Sequence, residues 1–169
     1  MNLSLRSDAQ VGRGYAPIGD TPEIQPNTQR VSVNYLASVS NQGKVRFMLY
    51  TQKLTAQVFI TFLERLIAKR TCKLMWIVDR HPVHRSHAVD QWLQEHRDKI
   101  ELHLLPPYSP QLNPAEYLNC DVKQGVHSKP PTRNLAQLKG RLRSHLFKLQ
   151  KLPTRIVKYF QHPFIAYAV

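Results

Sequence analysis

The stretch KLMWIVDRHPVHRS, from Lys73 to Ser86, decides the fold of this chain. Leu74 to Val78 form an unbroken apolar run, which predicts a short strand buried on both faces. Asp79 follows this run directly, and Pro82 prevents the strand from continuing. A carboxylate that comes immediately after a buried strand lies at the edge of a sheet, where open α/β folds place their chemistry.

A second stretch, LLPPYSPQLNPAEYLNCDVK from Leu104 to Lys123, carries the other carboxylate of interest. Its two leading prolines end a strand, and a helix is expected from Pro114 with Glu116 in the first turn. Asn113 is the predicted N-cap of this helix, a position that would orient Glu116. The 36 residues between Asp79 and Glu116 allow a strand–helix–strand excursion. Both carboxylates are therefore expected at one sheet edge, facing a shared metal site.

The remaining patterns predict a single α/β domain, because the length allows one core and the apolar periodicity alternates between strands and helices. The turn signal Ser40–Gly43 separates two β-rich runs. A leucine stripe from Leu135 to Leu149 predicts a helix packed on the core, with a dimer seam as the alternative. The expected elements are strands at about 1–5, 30–38, 44–50, 74–78 and 100–105, and helices at 55–69, 86–96, from 114 onward and through the last third.

The segments VDRHPVHRSHAV (78–89) and LLPPYSPQLNPAEYLNCDVK together resemble the catalytic domain of insertion-sequence transposases of the Tc/mariner superfamily. These are DDE enzymes with a ribonuclease H-like fold. The resemblance extends from LRSD at Leu5 to Pro163, nearly the whole chain. It implies one catalytic domain over 1–169, a mixed sheet flanked by helices with a truncated opening strand, and a basic helical C-terminal part at about 127–169.

The same resemblance implies that metal-bound carboxylates cleave and join DNA strands, with Asp79 and Glu116 as catalytic residues and metal ligands. Such chemistry uses two hard divalent cations, Mg²⁺ or Mn²⁺, held by carboxylate oxygens. The family's first catalytic aspartate falls at about Met1, where no acid stands, and Asp8 matches a downstream loop acid. Asp121 comes five residues after Glu116 and is expected to point elsewhere. The chain is thus expected to lack the first ligand, either as a decayed remnant or as the downstream frame of an interrupted element.

The charge balance favours a polyanionic partner. Lysine and arginine number 24 against 11 acidic residues, a formal charge of +13, and no acidic residue occurs from Val122 to Val169. The predicted DNA-contacting residues are His81, His84, Lys123, Arg141 and Lys148, and the two histidines are alternatively metal ligands. Tyr108 and Tyr117 are expected to be packing residues.

The resemblance implies transposon ends and target DNA as partners, an upstream helix-turn-helix polypeptide of the same element, and a homodimer. Two cysteines without metal-ligand spacing, and the lack of a long apolar run, are typical of a reduced cytosolic protein that does not span a membrane. The resemblance to insertion-sequence transposases implies a prokaryotic cytosol and association with the nucleoid. Two alternatives stay open: a catalytically dead DNA-binding remnant of a transposase, and another ribonuclease H-like nuclease.

Overall fold

The computed structural model describes residues 2–7, 17–20 and 30–168. Strands and helices follow one another in the expected order. The strands are β1 (Asn2–Arg6), β2 (Ser32–Val39), β3 (Val45–Tyr50), β4 (Leu74–Val78) and β5 (Ile100–Leu104). The α-helices are α1 (Ala56–Ile67), α2 (His87–Glu95), α3 (Pro114–His127), α4 (Leu135–Gln150) and α5 (Pro153–Val157), with short 3₁₀ turns before α2, before α3 and after α5.

Within this described part, the strands form two hydrogen-bonded sheets. One contains β1, β2 and β3 in antiparallel order, and the other contains β4 and β5 in parallel. The β2–β3 hairpin turns at Ser40–Lys44, where Gly43 has a φ of 79°. That left-handed conformation favours glycine, which explains why the turn signal in the sequence was correct.

Alternate side chains of β2 enter two separate hydrophobic cores, because successive side chains of a strand point to opposite faces of the sheet. Leu36 packs with α1, α2, β4 and β5, whereas Tyr35 and Ala37 pack with α3, α4 and the C-terminal segment. The helix expected at 55–69 is confirmed as α1, and Phe59 and Leu63 on its core-facing side are fully buried. Each such side chain contributes roughly 1.5–3 kcal/mol on burial.

The leucine stripe of α4 also lies in the core. Leu138, Leu142, Leu146 and Leu149 are buried against the face of the antiparallel sheet, and only Leu135 at the helix start is exposed. Core packing is therefore the correct interpretation of the stripe. The same helix leaves its lysines and arginines on the outer side.

The expectation that β4 is buried on both faces is wrong. Trp76 and Val78 are buried beneath α1 and α2, but Met75 is 57% exposed. The reason is a cleft of about 550 Å³ bordered by Leu74–Val78 of β4 and Ala37–Val39 of β2. A strand beside an open cleft has only one packed face.

Two further expectations concern the first catalytic aspartate and a membrane span. Met1, the position that the resemblance gives to the first catalytic aspartate, and Asp8 both lie outside the described residues. Among helices within residues 30–168, none combines the length and apolar character needed to cross a bilayer.

Candidate active site

Asp79 immediately follows β4, and two contacts of its carboxylate fix its orientation. Its Oδ1 accepts a hydrogen bond from the His81 backbone N–H at 3.0 Å and lies 3.1 Å from Nδ1 of His84. Burial alone would raise the pKa of this carboxyl, but the hydrogen bonds from His84 and His81 lower the pKa to about 2. Asp79 is therefore ionised throughout the neutral range, as a metal ligand must be.

His84 has a different position from the one predicted. Its ring is fully buried and lies 4.3 Å, between centroids, from Phe59 of α1. Its Nδ1 is 2.9 Å from the main-chain oxygen of Asp79, so this nitrogen carries the proton and donates to both Asp79 oxygens. The prediction that His84 contacts DNA phosphate is wrong, because a buried ring cannot reach a ligand; this histidine positions the carboxylate instead.

His81 is half-buried at the rim of the same loop. Its Nδ1 accepts from the Val83 backbone N–H at 3.3 Å. Burial, followed by the charge of His84, lowers the pKa of the His81 ring. Its contact with DNA stays a prediction.

Glu116 lies in the first turn of α3, and the predicted cap of this helix is confirmed. Asn113 Oδ1 accepts from the Ala115 backbone N–H at 3.0 Å, and Pro114 opens the helix. One turn later, Asn119 Nδ2 donates to Glu116 Oε2 at 3.3 Å. The amide oxygen of Asn119 in turn accepts from the Tyr35 hydroxyl at 3.4 Å, which links the site to β2.

Sequence reasoning missed Asn119. Its spacing of three residues from Glu116 is a signal that could have found it, because side chains three apart on a helix are neighbours. The Tyr35 contact could not have been found in this way, since it joins residues 84 positions apart.

Asp79 and Glu116 line one cavity of about 190 Å³. The rest of its wall comes from Arg80 and from the loop that follows β5. Arg80 Nε donates to the main-chain oxygen of Leu105 at 2.9 Å and so ties together the loops that follow the two parallel strands. The two carboxylates, distant in sequence, thus reach the same sheet edge.

Tyr108 also lines this cavity, but it is not a packing residue as predicted. Its side chain is fully exposed and its φ is 54°, a left-handed conformation that is uncommon for residues other than glycine. Strained backbone of this kind occurs preferentially at binding and catalytic sites.

The donor set of the cavity suits a hard divalent cation, because both acidic side chains offer oxygen. Across the described ranges, however, no group of three or more acidic, histidine or cysteine side chains is arranged to hold a metal. Two described carboxylates fit part of a metal site. Two ions together would require further acidic ligands.

The predicted cationic contacts are spread over two helices. Lys123 is half-buried on α3, Lys148 is exposed on α4, and the Arg141 guanidinium donates to the main-chain oxygen of Pro130. Their contacts with DNA stay predictions.

Asp121 points away from the cavity, as expected, and has its own buried network. It accepts hydrogen bonds from Tyr159 Oη at 2.6 Å and Arg155 Nε at 2.5 Å, and His145 Nε2 lies 3.2 Å away. Burial by itself would raise the pKa of Asp121. The hydrogen bonds lower the pKa by more than burial raises it, so the net shift is downward. This network joins α3 to α4 and to the C-terminal segment.

The family model described as DDE superfamily endonuclease matches residues 3–139. A search of curated protein sequences found no match. Among solved structures, a Mos1 transposase paired-end complex with the left transposon end matches with a TM-score of 0.61 and 17% identity over 94% of this chain and 53% of that chain. The Mos1 mariner paired-end complex with Mn matches with a TM-score of 0.63 and 15% identity over 99% and 55%.

The catalytic core domain of BIV integrase matches with a TM-score of 0.55 and 20% identity over 77% of this chain and 88% of that one. These similarities confirm the ribonuclease H-like fold. The chain spans about half the length of the Mos1 transposase chains that it matches.

Proposed function

We propose, because this chain belongs to the DDE superfamily endonuclease family, that it is a transposase catalytic domain for metal-dependent cleavage and transfer of DNA strands. The observation that carries the proposal is the shared cavity of Asp79 and Glu116 at the edge of the parallel strands. Structural likeness to Mos1 transposase and to BIV integrase supports the same assignment.

Asp79 and Glu116 would hold the divalent ion, Mg²⁺ or Mn²⁺. When bound, such an ion supplies a Lewis acid that stabilises charge on the phosphate and makes a bound oxygen more acidic. A complete two-ion site would need the additional carboxylate that the family carries at the position of Met1, outside the described residues.

The residues of this chain prepare the site before any ion binds. His84 and the His81 backbone keep Asp79 ionised and fixed. Asn119 holds one oxygen of Glu116, which leaves the other oxygen available to the cavity. Ligands that are held by hydrogen bonds lose less freedom on metal binding, which raises affinity.

We propose DNA as the substrate, both as transposon end and as target. One of the Mos1 neighbours is a paired-end complex with the left transposon end, and the excess of 13 positive charges favours a phosphate backbone. Arg80, on the wall of the carboxylate cavity, is placed to contact the phosphate being cleaved. A helix-turn-helix polypeptide of the same element, a second copy of the chain, and a prokaryotic cytosolic location belong to the same proposal.

The test is nicking of supercoiled plasmid with Mg²⁺ or Mn²⁺, compared with a reaction in chelator. Asp79→Asn is expected to reduce nicking at least 100-fold, and Asp90→Asn is the matched control because Asp90 is an exposed carboxylate on α2. An Asp79→Asn variant as active as the unmodified chain would refute the assignment. Salt-sensitive DNA binding without nicking would identify a non-catalytic DNA-binding protein, and preferential cleavage of RNA–DNA hybrids would identify another kind of nuclease.

A further inference from the structure

A second surface outside the carboxylate cavity carries a concentration of positive charge. Two cavities, of about 530 and 440 Å³, share Arg143 and Phe147 and together form what we call the β3–α4 groove. Its cationic lining residues are Arg46, Arg65, Lys139, Arg143, Lys148 and Lys151. The groove and the carboxylate cavity have no lining residue in common.

The charge of this groove is not compensated within the described part of the chain. No acidic side chain lines either cavity. None of the six cations forms a salt bridge with a described residue, although Lys73, Arg155 and several histidines do pair with acids elsewhere. All six side chains are exposed. Grouping such cations costs free energy through mutual repulsion, which an external polyanion would relieve.

The floor of the groove contains an aromatic pair and a hydrogen bond between α4 and β3. Phe47 of β3 and Phe147 of α4 meet edge to face, with ring centroids 5.2 Å apart, and Phe147 is 47% exposed. Gln150 Nε2 donates to the main-chain oxygen of Val45 at 2.8 Å and fixes α4 on β3. The cations are therefore presented by helices α1 and α4, including the C-terminal end of α4, and by strand β3.

Gly140, which lines the groove, is a second feature of this surface that favours ligand binding. It lies inside α4, where glycine is unfavourable, and a Cβ built there would meet no atom within 4 Å. Internal packing therefore does not require glycine at this site. Gly140 lines the groove, so the missing side chain leaves helix backbone accessible to a ligand.

We propose that the β3–α4 groove binds the phosphate backbone of a duplex DNA segment, separately from the strand that enters the carboxylate cavity. Lys139 to Lys151 span about 18 Å at the helical rise, which corresponds to about five phosphates along one strand. Lys139 and Arg143 are four residues apart on α4 and therefore lie on the same face of the helix. A guanidinium group such as that of Arg143 can donate two parallel hydrogen bonds to phosphate oxygens. The inference rests on the proposed function only in taking DNA as the substrate.

The test is equilibrium binding of a fluorescent 20-base-pair DNA duplex, measured by anisotropy in chelator at several salt concentrations. Lys139→Glu/Arg143→Glu reverses two groove charges. Arg97→Glu/Lys99→Glu is the control, because both residues are exposed, lie outside the groove, and change the net charge equally. We expect the groove variant to bind at least tenfold more weakly, with a salt slope lower by about 2, and the control to change less than threefold.

Equal weakening in both variants would show that only net charge matters and would overturn the proposal, as would unchanged binding by the groove variant. Tighter groove-dependent binding of duplex RNA, or of an acidic peptide, would also overturn it. If the charge-reversed variant does not fold, judged by circular dichroism, Lys139→Gln/Arg143→Gln compared with Arg97→Gln/Lys99→Gln gives the same charge-matched comparison. Because chelator removes the metal, failure of the proposed strand cleavage would leave this binding result intact.

Discussion

Nδ1 of His84 lies 3.1 Å from Oδ1 of Asp79 and 2.9 Å from the main-chain oxygen of the same residue. One buried imidazole thus fixes both the side chain and the backbone at the end of β4. The buried ring has no hydrogen-bond partner at Nε2 within the described part of the chain. Its only polar contacts there are with Asp79, so its role is to position that carboxylate.

His84→Phe should raise the pKa of Asp79, because the phenyl ring preserves packing against Phe59 but removes the hydrogen-bond donor. The folded pKa of about 2 lies below the unfolded value of ~3.9, so ionised Asp79 stabilises the fold above about pH 4. This stabilisation is lost as the pH falls through 2, and the loss should move to higher pH in the variant. Titration of the Asp79 carboxyl carbon by NMR measures the change.

His87→Gln is the control for that titration, since His87 is exposed at the start of α2. It should leave the pKa of Asp79 at about 2. An unchanged Asp79 titration in His84→Phe would show that the histidine does not control the carboxylate.

Asn119→Ala should weaken metal binding at the carboxylate cavity about tenfold, in the range typical for loss of a hydrogen bond to a metal ligand. The variant frees Glu116 Oε2 to rotate and removes the hydrogen-bond acceptor of the Tyr35 hydroxyl. Mn²⁺ binding measured by calorimetry reports the effect without requiring turnover. Gln124→Ala on the exposed side of α3 is the control. Equal Mn²⁺ affinity in Asn119→Ala, alongside a loss in Glu116→Gln, would contradict the positioning role.

Local features of the fold could be predicted from the sequence. The strand Leu74–Val78 was predicted with its correct ends, and the Asn113 cap and the Gly43 turn were correct, because each depends on adjacent residues. The expectation of a DDE enzyme, which came from the resemblance, is confirmed by the family match over residues 3–139. That resemblance supplied the topology that periodicity alone could not.

Features that depend on distant packing could not be predicted. The burial of His84 depends on Phe59, which a different helix supplies. The exposure of Met75 and Tyr108 depends on where the neighbouring elements leave space. In each case the residue type favoured one environment, and tertiary structure imposed another.

Asp121→Ala should destabilise the fold by about 2–4 kcal/mol, because it leaves the buried Tyr159 hydroxyl without its acceptor and removes the charge opposite Arg155. Arg155→Ala should cost only about 1 kcal/mol, since that side chain is 54% exposed. The lowered pKa of Asp121 means that its stabilising effect is present at neutral pH and is lost in acid. Urea unfolding at pH 7 and pH 3 should therefore show a smaller acid sensitivity in Asp121→Ala, and an equal one would contradict the assignment.

Gly125→Ala and Gly140→Ala should change stability in opposite directions, although both glycines lie inside helices. A Cβ at Gly125 would come within 2.0 Å of His145 Cε1 and push the ring off Asp121, which should cost about 1–3 kcal/mol. A Cβ at Gly140 meets open space, so the better helix propensity of alanine should add up to about 1 kcal/mol. Thermal unfolding of the two variants measures the difference. A Gly125→Ala variant as stable as the unmodified chain would mean that His145 does not depend on the close approach of α3 and α4.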